Sequence, residues 1–372
     1  MSSITPIRNE AGRAIKYRAR YRSPDGSSRS KTCDTMAEAR LFLATVEHKK
    51  ATGEYVDQAA SRTLFGAVAR QWQAGQPHRE STAEQVESIL TTHILPTFEH
   101  RPIGSIRTSE VQAWVSGLPL APSTVTVVYG KLAAIFNAAV DDRLIATSPC
   151  RPRAIKMPRA TGSEVTPMEP SEVRAMIATV NPRYSALLLL IAGTGVRPAE
   201  ALGLTADRVL FLKRQVRIDR QLVTVANRAP FLAPPKTPQS VRTIPAPQAV
   251  FDALAHHMAT YPLGPDGLIF TDSKGDPIRR NAIGHIWRRA AKVAGVVDRS
   301  PHDLRHYAAS VMIDQGQSVK AVQKQLGHKN ASTTLDTYAH LWHDAEDVTR
   351  AALDAGVAQL VSPACHDSAA KG

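Results

Sequence analysis

The stretch Arg151-Pro152-Arg153-Ala154-Ile155-Lys156-Met157-Pro158-Arg159 limits what this chain of 372 residues can fold into. Its prolines fix φ and remove amide donors, and its apolar residues recur at neither the helical nor the strand period. Ala160-Thr161-Gly162-Ser163 follows, small and turn-forming. Regular structure is therefore expected on either side of a basic linker at 151–164, not through it. The lengths left over suit two or three domains of ordinary size.

Before the break lie two patterns. In residues 1–60, Lys16-Tyr17-Arg18-Ala19-Arg20-Tyr21-Arg22 alternates with the period of a strand. Ser23-Pro24-Asp25-Gly26 supplies a turn, and Ser27 to Cys33 reads as the returning strand. Thr35 and Glu38 make a capping box that opens a helix from Met36 to Ala51. The strand pair sets Lys16, Arg18, Arg20 and Arg22 on one face of a run that includes Tyr17 and Tyr21, and such a ribbon could enter a major groove. Residues 61–150 read as four helices: Thr63 to Gln73; Ser81 to His93, capped by Ser81 and Glu84 and stopped by Pro96; Ser109 to Leu118; and Ser123 to Asp142. The last is expected to bury Val127, Leu132, Ile135, Phe136 and Ala139.

After the break the pattern is mixed but mainly helical. An apolar helix around Tyr184 to Ala192 should be buried, strand-like segments run from Val209 to Thr243, and helices cover most of the rest. Leu353, Val357, Leu360 and Val361 mark an amphipathic tail helix. The expected fold class is multidomain: a small α+β N-terminal module with a three-stranded sheet (1–60), an all-α helical bundle (61–150), the linker, and a mainly α, mixed α/β domain with its tail (165–372).

Lys and Arg number 46 against 33 Asp and Glu, a formal net charge of +13. Such an excess favours a polyanionic partner. A membrane surface fits poorly, because no apolar run approaches the roughly 20 residues of a span. The first ten residues carry no apolar signal region. The three cysteines, Cys33, Cys150 and Cys365, are too far apart for a metal site, and their odd number suits a reducing cytoplasm.

Four motifs carry chemistry. Gly193-Thr194-Gly195-Val196-Arg197-Pro198-Ala199-Glu200 places Arg197 at a helix N-terminus, with Glu200 one turn on to hold its guanidinium. Pro301-His302-Asp303-Leu304-Arg305-His306 puts His302 and Arg305 on one helical face. In Leu326-Gly327-His328, the glycine should close a helix in a left-handed cap with His328 in the turn that follows. Tyr338 ends the series. Two arginines and two histidines can grip one phosphodiester and stabilise charge on a pentacoordinate phosphorus, and a phenol can attack it without a metal. The ester formed would conserve the bond energy, so religation needs no ATP, and no Walker lysine motif occurs.

This order of motifs resembles the tyrosine recombinase (phage integrase) family over Gly193 to His340. The resemblance implies a catalytic set of Arg197, Lys236, His302, Arg305, His328 and the nucleophile Tyr338, with Glu200 in support and no cofactor. Lys236 would be the general acid for the 5′ oxygen, at a hairpin tip in Pro234-Pro235-Lys236-Thr237-Pro238; Lys213 and Lys274 are alternatives in turns. It further implies an arm-binding N-terminal module like that of lambda-like integrases and a core-binding helical domain. DNA contacts are expected from Lys16, Arg18, Arg20, Arg22, Arg151, Arg153, Lys156 and Arg159. The reaction implied is cleavage and rejoining of attachment-site DNA by a homotetramer through a Holliday junction, in the cytoplasm at the nucleoid. Whether a host DNA-bending protein and an excision factor assist is left open. A chromosome-dimer resolvase of the same chemistry, a type IB topoisomerase and a non-catalytic architectural DNA-binding protein are the competing readings.

Overall fold

The computed structural model describes residues 2–10, 12–23, 26–51, 55, 59–151, 153–159, 165–226, 228–235, 237–342, 350, 353–358 and 360. The chain forms two compact units, Met1–Thr161 and Gly162–Gly372.

The first unit holds two separate cores. In the N-terminal one, β1 (Ser3–Arg8), β2 (Ala14–Arg22) and β3 (Ser28–Cys33) make an antiparallel sheet with β2 in the centre. Strand alternation decides the faces. Ala19, Tyr21 and Cys33 turn inward onto Ala39, Leu43 and Val46 of α1 (Met36–Ala51), while Lys16, Arg18, Arg20 and Arg22 are exposed. Tyr17 and Tyr21 are packing residues on the face opposite the basic row. Tyr21 meets Phe42 and Tyr55 edge-on. At the start of α1 the Glu38 amide donates to Thr35 Oγ1 at 3.1 Å, and Glu38 accepts from the Asp34 amide at 3.2 Å.

The second core is built from α2 (Phe65–Ala74), α3 (Glu80–Ile89), α4 (Leu95–Phe98), α5 (Thr108–Gly117) and α6 (Pro122–Asp141). Three expectations fail here for local reasons. Ser81 lies inside α3, whose N-cap is Arg79, so the Ser81–Glu84 capping box does not form. Pro96 does not stop the helix: a wider π turn over Leu90–Ile94 re-spaces the hydrogen bonds ahead of it, and Pro96 opens α4, where its missing N–H costs little. Val127 is 46% exposed, whereas Val125 and Val128 are buried with Leu132, Ile135, Phe136 and Ala139. One residue is about 100° on a helix, enough to turn a side chain off the stripe. By length and composition α6 is apolar enough to cross a membrane, contrary to the reading of the sequence, but its inner face is spent on this core.

The basic stretch after this bundle is docked onto it. Ile155 is buried among the helices, and the Gln112 side chain accepts from the Lys156 amide at 2.6 Å and donates to the Lys156 carbonyl at 3.2 Å. Arg151, Arg153, Lys156 and Arg159 remain exposed.

The second unit is organised around α8 (Pro182–Thr194), which packs against α7 (Pro170–Thr179), α9 (Pro198–Leu202), α10 (Gln248–Thr260) and α12 (Asp303–Asp314). Asn181 caps α8 by accepting from the Arg183 amide, Pro182 sits in the first turn, and Gly195 ends the helix with φ 71°. Leu187, Leu188, Leu190 and Ile191 fill the core, as the all-round apolar run requires. Short strands flank the bundle: β4 (Val209–Leu210), β5 (Gln215–Ile218) and β8 (Arg242–Pro245) form one sheet, and β6 (Gln221–Val223) and β7 (Phe231–Ala233) another. The two arms on either side of Pro234 to Thr243 therefore do not pair with each other, and the expected hairpin tip is a connection between two sheets. Helices α11 (Arg280–Ala294), α13 (Val319–Leu326) and α14 (Ala331–Tyr338) complete the unit. Beyond them, residues 353–358 and 360 are helical with Leu353, Val357 and Leu360 exposed; Val361 lies outside the described residues.

Candidate active site

The site is assembled from the ends of helices, where backbone groups are left without intrahelical partners. Arg197 is the N-cap of α9 and His302 the N-cap of α12, with Arg305 in its first turn. Gly195 and Gly327 close α8 and α13 in left-handed caps, φ 71° and 69°, and each presents a carbonyl to an arginine. Arg305 donates to Gly195 O at 2.5 Å and to Leu326 O at 2.8 Å, and Arg197 donates to Gly327 O at 3.3 Å. Gly327 has a second constraint: a Cβ there would lie 2.8 Å from Nη1 of Arg242.

Glu200, 2% exposed, binds two guanidinium groups. It accepts from Arg197 Nη1 at 2.9 Å and from Arg242 Nη2 at 2.9 Å, and also from the Arg197 amide at 3.0 Å. Burial would raise its carboxyl, but the hydrogen bonds and charge of Arg242, then those of Arg197, outweigh it and hold the group ionised. Arg242 is fixed further by donating to Gln325 O and Ser240 O, both at 2.9 Å. Arg305 is 2% exposed; burial, then the Arg197 charge, pushes it down to about 9, so it stays charged at neutral pH. Three arginines against one carboxylate leave a net positive pocket, suited to an anion.

Burial lowers His328 to about 3, with help from Arg305, Arg197 and Arg242, and lowers His306 below its ordinary value against the pull of Asp303; His302 is lowered to about 4 although its residue keeps an exposed face. All three are neutral imidazoles at neutral pH, each with one N–H to donate. His328 Nδ1 is 2.8 Å from Thr334 Oγ1, which fixes the ring. Tyr338 is 1% exposed, at the end of α14 among Ala309, Ile313, Val322 and Leu326. Burial pushes its phenol up to about 12 against the pull of Arg305 and Arg197. Its Oη lies 2.7 Å from Nδ1 of His306.

The sequence-predicted Arg197, Glu200, His302, Arg305, His328 and Tyr338 thus stand on four neighbouring helix ends of one unit. Lys236 lies outside the described residues; Lys213 and Lys274 are exposed. The basic residues expected to touch DNA in the first unit are likewise exposed, and Lys16 pairs with Asp34 at 3.5 Å. Arg242, His306 and Thr334 were not assigned from the sequence. Two of them left a trace there. Strand alternation puts Arg242 on the buried side with Ile244, and His306 stands four residues after His302, on the same helical face.

The buried Arg305 and Arg242 and the half-buried Arg197 stand beside a phenol, an arrangement whose chemistry suits binding an anionic phosphate next to a nucleophile. The comparisons with known proteins narrow this class. A model of the phage integrase family matches residues 167–344, and one of the phage integrase central domain matches residues 65–154. The putative prophage phiRv2 integrase of Mycobacterium tuberculosis is 26% identical over 337 residues, covering 87% of this chain and 88% of that protein. A XerC-like tyrosine recombinase of Caldanaerobacter subterraneus is 28% identical over 267 residues, 64% of this chain and 68% of that one. Among solved structures, the Tn1549 transposon integrase with circular intermediate DNA superposes with a TM-score of 0.69 at 21% identity, over 78% of this chain and 99% of that one. A lambda integrase tetramer bound to a Holliday junction gives 0.56 at 16% identity, over 85% and 92%. The chain belongs to the tyrosine recombinase (phage integrase) family.

Proposed function

We propose that this recombinase is the integrase of a phage or related mobile element, with Tyr338 as its nucleophile. The observation that carries the reading is the meeting of Arg197, Arg305, His302 and His328 around the one tyrosine that ends α14. Arg197 and Arg305 would hold the non-bridging oxygens of the scissile phosphate, with Glu200 and Arg242 keeping Arg197 in place. The neutral His302 and His328 would donate to the same oxygens as charge builds on them. Tyr338 would attack phosphorus in line to give a 3′-phosphotyrosine, and the 5′ oxygen would leave with a proton from Lys236. Attack by a partner's 5′ hydroxyl reverses the step without ATP. One strand of each duplex exchanges first, and a Holliday junction follows.

The N-terminal sheet, which lays Lys16, Arg18, Arg20 and Arg22 along the exposed face of its central strand, favours an integrase over a resolvase lacking such a module. A host DNA-bending protein and an excision factor would set the direction of the reaction at the nucleoid, and recombination by the purified protein alone would show that neither is needed.

The experiment is a nicked suicide substrate carrying the attachment site, read as a covalent adduct on a denaturing gel. The native protein is expected to be trapped and Tyr338→Phe to give no adduct while binding the DNA as well. Adduct in the variant would place the nucleophile elsewhere.

A tetramer on DNA also gives a use to the exposed Leu353, Val357 and Leu360. We assign that helix to docking on a neighbouring protomer. A chain ending before Asp344 is expected to bind single sites normally but to lose synaptic complexes in a native gel; retention of full synapsis would refute the assignment.

A further inference from the structure

We propose that His306 is a catalytic residue of the strand-cleavage step, the general base that takes the proton of Tyr338. This rests on the reading of Tyr338 as nucleophile. The geometry carries it: Nδ1 of His306 is 2.7 Å from the phenolic oxygen, the two rings meet edge-on at 5.5 Å, and α12 holds the imidazole half-buried. A candidate base must lie within hydrogen-bond reach of the proton it removes. Of the histidine nitrogens around the site, this one is bonded to the reacting atom; His328 Nδ1 is engaged with Thr334 instead.

The protonation states agree with that direction. The phenol is held protonated and the imidazole neutral, so the hydroxyl donates and Nδ1 accepts, with the hydrogen of the imidazole on Nε2. The groups acting on His306 are Asp303, which favours the imidazolium, and Arg305, which opposes it; the His302 ring stands edge-on at 4.9 Å. His340, on the turn after α14, is directed to Val165 O. In the resting protein, transfer from phenol to imidazole is uphill. It becomes downhill as the Oη–P bond forms, because an aryl ester oxygen has almost no basicity.

The step balances. Oη attacks phosphorus, its proton moves to Nδ1, the P–O5′ bond breaks, and the 5′ oxygen receives a different proton. The imidazolium that remains returns its proton to Oη when a 5′ hydroxyl attacks the phosphotyrosine. One residue is base for cleavage and acid for rejoining, as reversal of a single path requires.

The test compares the full-length native protein with His306→Gln and His306→Ala on the nicked suicide substrate. Glutamine can hold a hydrogen bond to the phenol but cannot take its proton. Both variants are expected to bind DNA normally and to form adduct about 10²-fold more slowly or worse, the usual size of a general-base contribution. Their rates should rise with pH where the native rate is level. Imidazole added to His306→Ala should restore part of the rate. A substrate with a 5′-bridging sulfur, whose leaving group needs no proton, should leave the defect in place. A near-native rate for His306→Gln, or full rescue by the sulfur substrate, overturns the proposal. Adduct formation by Tyr338→Phe on the same gel would be a failure of the nucleophile reading instead.

Discussion

Arg305→Ala is expected to bind attachment-site DNA but to form covalent adduct at least 10²- to 10³-fold more slowly, the loss that follows removal of one preorganised donor from a developing charge. The side chain is 2% exposed and fixed by two carbonyls, Gly195 O and Leu326 O, so its guanidinium is held in one orientation. The same bonds make it structural. Truncation leaves two buried carbonyls without donors, at about 1–3 kcal/mol each, and opens a cavity beneath α12. A melting temperature lower by several degrees should accompany the rate loss. Arg305→Lys separates the two effects. A lysine keeps charge but lacks the planar fork, so it should regain part of the stability and little of the rate. Single-turnover trapping beside thermal melts reads both. A native trapping rate in Arg305→Ala would remove this residue from the phosphate grip.

Arg242→Met should destabilise the second unit by about 3–5 kcal/mol, the cost of breaking a buried ion pair from one side. Arg242 is 8% exposed and binds Glu200 through both terminal nitrogens, at 2.9 and 3.3 Å. Its loss leaves the buried carboxylate with Arg197 alone. The double variant Glu200→Gln with Arg242→Met removes both charges, and its destabilisation should be smaller than the sum of the single losses. Urea unfolding of the four proteins of this cycle measures the coupling. Simple additivity would mean that the triad is no more than a proximity of charges.

What could be read from the sequence was what local rules govern. Arg197, His302 and Gly327 occupy the helix ends that proline, spacing and glycine assigned them, because those signals act over four or five residues. What escaped depends on chain segments far apart. Arg242 meets Glu200 across 42 positions and His306 meets Tyr338 across 32, and neither pairing leaves a periodicity. The basic stretch after Cys150 looked like a free linker because its prolines and charges are local facts. Its anchoring to Gln112, 44 residues away, is not. Pro96 misled for the opposite reason: the local rule is sound, but the chain met it with a π turn.

The burial of Tyr338 separates two events in time. At 1% exposure the phenol is closed off by α12, α13 and the turn after α14, so on the proposed reading of Tyr338 a phosphodiester would reach its oxygen only after that packing loosens. Landing on a duplex and committing to cut it are then distinct steps with distinct clocks. Between them the protein can dwell, slide and leave. On that reading a wrong sequence that holds the enzyme only briefly would be abandoned intact, and selectivity would come from residence as well as from affinity.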